Sequence, residues 1–344
     1  MTANPAKPAK LSRHAIRLAL WALPLAALVN IIFFLWALDG RPLSSIAERP
    51  WLLALAAGLA LVPWATNVLR LAIWCRFLGV ELQLKQCIRV ILGTVIANSV
   101  TPTATGGTVI KWGFLVNEGV SADKAGTLIS TQIAEDTIVM LSLLAFALFF
   151  AFGFELPATL RGLDWVGARA STAQALLFIV AVILIVGMIF GLARSGWFGA
   201  RIRDLTRRMS SRVAELGRNV ASDWKTVIKG GKSVVMASMA LSAVQWSARY
   251  SVATAIIGFA GGVMLPLLYW ALQWLTFTFS TIVPTPGGIG GSEAAFLLLY
   301  APFVSPDALG PVMVIWRLML FYVPTGLAAL IFLGMRGRVS ARSV

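Results

Sequence analysis

Apolar runs long enough to cross a lipid bilayer constrain this chain more than any other feature. An α-helix needs roughly 20 apolar residues to span a hydrocarbon core of about 30 Å. Of the 344 residues, 58% are hydrophobic and only 12% are charged, a balance that a water-soluble domain could not carry without aggregating. We therefore predict an all-α polytopic membrane protein. The six full transmembrane helices expected are 16–38, 51–78, 126–154, 173–193, 233–260 and 308–333.

Two further apolar regions, 86–118 and 262–300, are each interrupted near the centre by helix-breaking residues. The first interruption reads TPTATGG and the second reads PTPGGIGG. Proline cannot continue a helix, and loop backbone in hydrocarbon costs several kcal/mol per unsatisfied group, so such a loop survives only inside protein or beside a wet cavity. A half-helix of about 15 residues rises roughly 22 Å, enough to reach the midplane. We predict that each region is a re-entrant helical hairpin.

The distribution of basic residues predicts how the chain is oriented. The net charge is +15, and the stretch 194–232 alone holds ten basic and three acidic residues. Excess Lys and Arg mark the cytoplasmic loops of membrane proteins. With the hairpins entering from opposite faces, the pattern is consistent with both termini in the cytoplasm of a bacterium and the chain in its inner membrane.

A shift of 182 residues superposes the two broken regions and their flanks, which indicates an inverted repeat. Substrate binding is then expected at the midplane, between the halves. The identities carried by the shift are Pro102-Thr103 on Pro284-Thr285, Gly106 on Gly288, Phe114 on Phe296 and Leu115 on Leu297. The predicted organisation is a cytoplasmic tail with the first span (1–50), repeat unit 1 (51–154), a connecting segment (155–232), repeat unit 2 (233–336) and a cytoplasmic tail (337–344).

Within the connecting segment, residues 197–229 repeat apolar side chains at intervals of three and four, with Arg and Lys between them. This spacing is typical of an amphipathic helix. We expect it to lie at the cytoplasmic interface against anionic lipid headgroups or to cap the bundle. The alternative is a basic loop that only directs topology.

Charged residues inside the predicted membrane region are the candidate substrate-binding groups. Each uncompensated charge at mid-bilayer costs about 2.5 to 3.5 kcal/mol, so these side chains must face inward and pair or meet water. The shift places Lys111 on Glu293 and Glu135 on Arg317, so that opposite signs occupy equivalent positions. A purely structural ion-pair network is the alternative interpretation. The set consists of Lys111, Glu135, Asp136, Arg249, Glu293 and Arg317.

Glycines at the start of each second half-helix are the other candidate site. Unpaired N–H groups and the positive end of a helix favour a phosphate or carboxylate, and glycine lets the anion approach the backbone. Glu293 is expected to pair with Arg317 or Lys111, or to accept a cationic headgroup. Close helix packing is the alternative role for the glycines. The candidates are Gly106, Gly107, Gly287 and Gly288.

Side chains for metal, disulfide or nucleophilic chemistry are scarce. The chain has one histidine, His14, and two cysteines, Cys75 and Cys87. These cannot build a metal site, a disulfide framework or a Ser-His-Asp constellation. We therefore expect no metal, no cofactor and no enzymatic activity.

The broken regions resemble a known family, the transmembrane region of lysylphosphatidylglycerol synthases, which is the flippase-like domain of multiple peptide resistance factors. The resemblance covers roughly residues 51–333. Its most specific part is PTPGGIG (284–290) with Glu293; Asn98, Pro102 and Gly106 match a weaker first motif, and Arg317 matches a family arginine. Lys111 stands where the family tends to have Arg, Gln132 and Ile133 replace a Glu-Arg pair, and Gly107 replaces a common acidic residue.

The resemblance implies a lipid flippase that moves a lipid with a phosphate-bearing headgroup by alternating access. Its substrate is open among aminoacylated phosphatidylglycerol, an isoprenoid-phosphate carrier, a glycolipid and a hopanoid. Two alternatives remain: an intramembrane lipid-modifying enzyme, and a non-transporting subunit of a glycosyltransferase or lipid synthase. No nucleic-acid partner is expected, because the excess positive charge is explained by topology.

Overall fold

The computed structural model describes residues 31–32, 34–35, 37–38, 46–101, 105–153, 231–282, 285 and 287–340. Every regular element within these residues is helical, as the apolar runs predict. The predicted span 173–193, the amphipathic stretch 197–229 and most of the span 16–38 lie outside the described residues.

The described helices form two units with the same order of elements. The first unit holds α1 (Trp51–Phe77), α2 (Leu84–Val100), α3 (Thr105–Asn117) and α4 (Ala122–Gly153). The second holds α5 (Lys232–Phe259), α6 (Pro266–Ile282), α7 (Gly291–Tyr300), α8 (Pro306–Arg317), a π-helical segment (Leu318–Tyr322) and α9 (Val323–Ser340). The bounds of α2 and α6 differ by 182 at both ends.

The sequence explains where these helices begin and end. Gly79 and Gly261 follow α1 and α5 with positive φ angles of 63° and 75°, a conformation that glycine adopts without steric cost. Gln86 caps α2, because its side-chain oxygen accepts a hydrogen bond of 2.8 Å from the Gln83 backbone N–H. Helix α8 begins at Pro306, where the missing N–H of proline leaves no donor unsatisfied.

Helices α1 and α5 form the central pair of the bundle and run antiparallel. Leu52, near the start of α1, lies against Gly258 near the end of α5. Further along α1, Thr66 donates a 3.3 Å hydrogen bond to Gln245, and Trp74 donates a 3.0 Å bond to Ser238 near the start of α5. Because α1 and α5 are equivalent elements, the two units run in opposite directions through the bundle.

Each pair of short helices folds back on itself as an antiparallel hairpin. In the α2–α3 hairpin the Phe114 ring covers Gly93, and the base is closed by an ion pair of 2.8 Å between Arg89 and Glu118. In the α6–α7 hairpin the Tyr300 hydroxyl donates to the Tyr269 carbonyl at 3.2 Å. The longest of the four helices has 17 residues, about 25 Å at helical rise and less than the bilayer core.

The hairpins pack across the boundary between the units: α2 contacts α9, and α6 contacts α4. Ring contacts join α7 to α8, where Phe296 stacks on Tyr300 with centroids 4.2 Å apart and lies 4.8 Å from Trp316. All three rings are buried in the core that α1 and α5 share with the second hairpin. Burial of such rings is a main stabilising term in a packed interior.

Three helices in the described part of the chain are long and apolar enough to cross a membrane: Trp51–Phe77, Ala122–Phe150 and Pro306–Met335. They correspond to the predicted spans 51–78, 126–154 and 308–333. The predicted span 233–260 is helical over 28 residues as α5 but is not among the three. Its inner face carries the buried polar residues Ser238, Ser242 and Gln245, which lower its hydropathy, so its crossing of the membrane stays a prediction.

Gly93 provides a test of the hairpin packing. A Cβ atom at Gly93 would lie 2.6 Å from the Phe114 ring, and that ring packs edge-on against Phe332 with centroids 5.9 Å apart. Overpacking costs about 1 to 3 kcal/mol, so Gly93→Ala should lower the melting temperature in detergent. Gly113→Ala is the control, because nothing lies within 4 Å of its added Cβ and alanine favours a helix by about 1 kcal/mol. Equal gains in both variants would contradict the described packing.

Candidate functional site

A cavity of about 420 Å³ lies between the two units, within the size range of small-molecule sites. The first unit lines it with residues of α1 to α4, and the second with residues of α5, α6, the turn before α7, the π-helical segment and α9. Trp64 and Trp246, which are 182 residues apart, face it from the central helix pair. The charged side chains that line it, among the described residues, are Lys111, Asp136 and Arg249.

Lys111 reaches this cavity from α3 and is only 8% exposed. Its Nζ donates a hydrogen bond to the Gln132 side-chain oxygen of α4. The Gln132 amide in turn donates to Asn67 Oδ1 on α1, and Asn67 Nδ2 donates to the Pro63 carbonyl at 2.8 Å. In the described part of the chain, no carboxylate oxygen lies within 4.0 Å of the Lys111 ammonium. Among the described residues, the hydrogen-bond partner of the ammonium is therefore a neutral oxygen.

Arg249 on α5 is the second cation of the cavity. Its guanidinium carbon lies 4.7 Å from the centre of the Phe277 ring and 5.8 Å from that of Trp246. Nε is buried without a hydrogen-bond partner, and none of the described carboxylates approaches the guanidinium within 4.0 Å. Ring faces attract a cation by about 0.5 to 2 kcal/mol but do not neutralise it.

The carboxylate of the cavity, Asp136, belongs to a buried network that joins α1, α4 and α5. Arg70 donates to Asp136 Oδ1 at 2.7 Å and to Glu135 Oε2 at 2.9 Å. Ser242 donates to Asp136 at 2.6 Å, and Trp74 donates to Glu135 at 3.1 Å. Arg70 is 1% exposed and Glu135 is 4% exposed. The two adjacent carboxylates thus share one guanidinium, and Glu135 lies behind the cavity wall.

Arg70 was missed in the sequence analysis, although a usable signal existed. It is the one charged residue between positions 51 and 75 and lies inside a predicted span. The energetic argument that singled out the other intramembrane charges therefore applies to it equally. The sequence does not reveal the partners of Arg70, because the carboxylates that it contacts, Glu135 and Asp136, lie 65 and 66 positions away along the chain.

Glu293 and Arg317 form an ion pair beside the cavity rather than in its lining. Arg317 Nε lies 2.8 Å from Glu293 Oε1, and these side chains are 7% and 0% exposed. The other Glu293 oxygen accepts the Gly290 N–H and the Ser292 hydroxyl, each at 2.8 Å. Arg317 also donates to the Gly287 carbonyl at 2.7 Å. The pair therefore ties the turn before α7 to the end of α8, and Glu293 caps α7.

The candidate glycines lie at close approaches of other groups. A Cβ at Gly107 would overlap Asn98 Oδ1, so this amide rests directly on the first turn of α3, which also contains Gly106. Gly287 and Gly288 have φ angles of 62° and 70° and precede α7, whose N-terminus is occupied by Glu293. The Phe321 ring covers Gly287. Gly107, Gly287 and Gly288 line the cavity.

The structure thus brings together Lys111, Asp136, Arg249 and three of the glycines around one cavity. Glu135, Glu293 and Arg317 are buried next to it in ion pairs. The sequence suggested Arg317 or Lys111 as the ion-pair partner of Glu293, and the structure shows Arg317. Lys111 instead donates a hydrogen bond to Gln132. A role in substrate binding stays a prediction for all of these residues.

Long apolar helices, paired short hairpins and an interior charge network define this chain as a helical integral membrane protein. A family model described as the lysylphosphatidylglycerol synthase transmembrane region matches residues 17–328, and the chain belongs to that family. The expectation from the PTPGGIG motif is confirmed. The chain is also similar to a UPF0104 membrane protein of Archaeoglobus fulgidus, 21% identical over 312 residues that cover 86% of this chain and 90% of the relative.

The Glu293–Arg317 pair yields a stability prediction. Arg317→Gln leaves a carboxylate that is 0% exposed without its cation, which costs about 3 to 5 kcal/mol for a buried pair. The variant should show a strongly reduced folded yield and melting temperature in detergent. Glu293→Gln combined with Arg317→Gln restores neutrality and should recover much of both.

Arg89→Gln is the matched control, because its ion pair with Glu118 is 30% exposed on the arginine side. Pairs open to solvent contribute only about 0 to 1 kcal/mol. The described role of the Glu293–Arg317 ion pair would be contradicted if Arg89→Gln lowered the melting temperature as much as Arg317→Gln. It would also be contradicted if the double variant were no more stable than the single variant Arg317→Gln.

Proposed function

We propose that the protein is a lipid flippase that moves a lipid with a phosphate-bearing headgroup between the leaflets of the bacterial inner membrane. One observation carries the proposal: a headgroup-sized cavity between two antiparallel units is lined by two cations, Lys111 and Arg249, without a carboxylate partner among the described residues. An anionic headgroup supplies the missing counter-charge. The planar guanidinium of Arg249 suits two phosphate oxygens, and Lys111 adds a point charge.

The arrangement of helices supports transport by alternating access. Helices α1 and α5 pack antiparallel, α2 contacts α1 and α6 contacts α5, which matches an inverted repeat with its site between the halves. In this proposal six full spans and two re-entrant hairpins make up the chain, and both termini are cytoplasmic. Rocking of one unit against the other then opens the cavity to each leaflet in turn.

Further partners follow from the same proposal. The acyl chains of the substrate stay in the bilayer, while the headgroup enters the polar lining of the cavity, which includes Thr94, Asn98 and Thr325. The basic stretch 197–229 binds anionic headgroups at the cytoplasmic surface. Each Lys or Arg near such a surface contributes about 1 kcal/mol.

We propose transport without chemical change to the lipid. The cavity carboxylate, Asp136, already accepts hydrogen bonds from Arg70 and Ser242, so its Oδ1 is engaged by the protein rather than free to take a proton from a substrate. In the described part of the chain no group of three metal-ligating side chains occurs.

A leaflet-resolved assay in proteoliposomes tests the proposal. Tail-labelled phospholipids are reconstituted with the purified protein, label in the outer leaflet is quenched with an impermeant reductant, and the lipids are afterwards analysed by mass spectrometry. Faster exchange between leaflets with unchanged lipid supports a flippase. Chemical change of the lipid identifies the enzyme alternative. Unchanged lipid and no exchange until a synthase or glycosyltransferase is added identifies the subunit alternative.

Arg249 provides a test at the level of one residue. Arg249→Gln removes a cation that has no carboxylate partner in the described structure, so folded yield should change little. Loss of a charge-assisted hydrogen bond of about 1.5 to 3 kcal/mol should slow exchange of an anionic lipid by at least about tenfold. Arg76→Gln is the control, because Arg76 is exposed near the end of α1. Full exchange by a folded Arg249→Gln variant would contradict the proposed headgroup site.

Topology can be tested by labelling. In a background that lacks Cys75 and Cys87, which are both buried, single cysteines are introduced at Asp123, before most of α4, and at Ser305, before α8. The inverted arrangement predicts that an impermeant thiol reagent labels the first from the cytoplasm and the second from the periplasm. Labelling of both positions from one side would exclude opposite entry of the hairpins.

A further inference from the structure

We infer that the cavity selects a lipid headgroup of net charge −1, and that Gln132 determines this selectivity by leaving Lys111 without a carboxylate. The inference rests on the proposed function and names the substrate class of the same site. It begins from a count of the charges around the cavity.

The described charges in and behind the cavity wall fall into two groups. Arg70 with Glu135 and Asp136 forms a closed network with one cation and two anions, a net charge of −1. Lys111 and Arg249 are two cations outside any ion pair with described residues. The sum is +1, because the neighbouring Glu293–Arg317 pair is neutral.

A surplus charge in a low-dielectric interior is unfavourable until a counter-charge enters. A phosphodiester with an uncharged substituent carries −1 and brings the sum to zero. A zwitterionic headgroup leaves the surplus cation, whereas a phosphomonoester, which carries about −1.5 to −2 at pH 7, leaves a surplus negative charge. The favoured class is therefore a phosphodiester lipid whose second substituent is neutral.

Gln132 is the residue at which a nearly isosteric substitution would change the net charge counted above, because glutamate differs from glutamine only in an oxygen that replaces the amide nitrogen. It lies one helical turn before Asp136 on α4, and both side chains line the cavity. Its side-chain oxygen accepts from Lys111, and its amide nitrogen donates to Asn67. A glutamate has the same shape and would form an ion pair with Lys111. The second carboxylate oxygen would face Asn67 Oδ1, so the Asn67 amide would flip to donate to it and would give up its hydrogen bond to the Pro63 carbonyl.

The test compares exchange rates of three tail-labelled lipids in proteoliposomes at pH 7: phosphatidylglycerol, phosphatidylcholine and a lipid phosphomonoester. The wild type should exchange phosphatidylglycerol at least about tenfold faster than the other two. Gln132→Glu should lower the ratio of phosphatidylglycerol to phosphatidylcholine rates by about tenfold. Lys111→Gln removes the same unit of charge and should shift the ratio in the same direction.

Gln132→Asn is the matched control, because it disturbs the hydrogen bonds but leaves the charge unchanged. It should alter rates without shifting the ratio. Folding of each variant is checked by melting temperature; if Gln132→Glu does not fold, Asn67→Asp places the same charge beside Gln132 and is held to the same expected shift.

The outcomes separate this inference from the proposed function. If the wild type exchanges none of the lipids, the flippase proposal fails and the inference fails with it. If the wild type exchanges phosphatidylglycerol and phosphatidylcholine equally, or if the ratio shifts neither with Gln132→Glu nor with Lys111→Gln, the flippase proposal stands and the charge selectivity is overturned. A shift with Lys111→Gln alone overturns the role of Gln132.

Discussion

The contact of Arg70 with Glu135 and Asp136 is the interaction on which the rest of this structure depends. Two adjacent carboxylates on one helix are unfavourable in an apolar environment unless a cation and hydrogen-bond donors surround them. Arg70 supplies the cation from α1, while Ser238 and Ser242 donate from α5. Meeting this requirement fixes the mutual rotation of α1, α4 and α5. Once these helices are set, Gln132, one turn from Asp136, and Arg249, one turn from Gln245, both face the cavity.

The two hairpins are equivalent in the repeat but differ in their chemistry. Lys111 and Glu293 occupy corresponding positions, yet Lys111 lines the cavity and donates to the neutral Gln132 amide, whereas Glu293 is buried in an ion pair with Arg317 and caps the N-terminus of α7. Arg317 also donates to the Gly287 carbonyl and so holds the turn of the second hairpin in place. Within the described residues, one hairpin is therefore held by an ion pair, and the other presents the Lys111 ammonium to the cavity.

Much of the fold was predictable because it follows from local properties of the chain. Apolar runs predicted helices α1 and α4, and the proline and glycine residues that interrupt such runs predicted the turns between the two helices of each hairpin. The spacing of 182 residues between the equivalent helices α2 and α6 is also apparent from the sequence alone. The candidate charges were found from the cost of burying them, which depends only on their place in the sequence. The same reasoning overlooked Arg70, whose importance comes from its partners rather than its neighbours.

The sequence by itself determined which segments are helical, where two of the apolar regions break, which charges require an interior environment and to which family the chain belongs. Each of these follows from hydropathy, from backbone sterics or from motif residues within a short stretch. Only the tertiary structure decided how the charges combine. It placed Arg70 between Glu135 and Asp136, Glu293 on Arg317, and Lys111 on Gln132, because ion pairing depends on distances between helices that are far apart along the chain. Which described charges are paired and which are not depends on those distances, and no single segment contains this information.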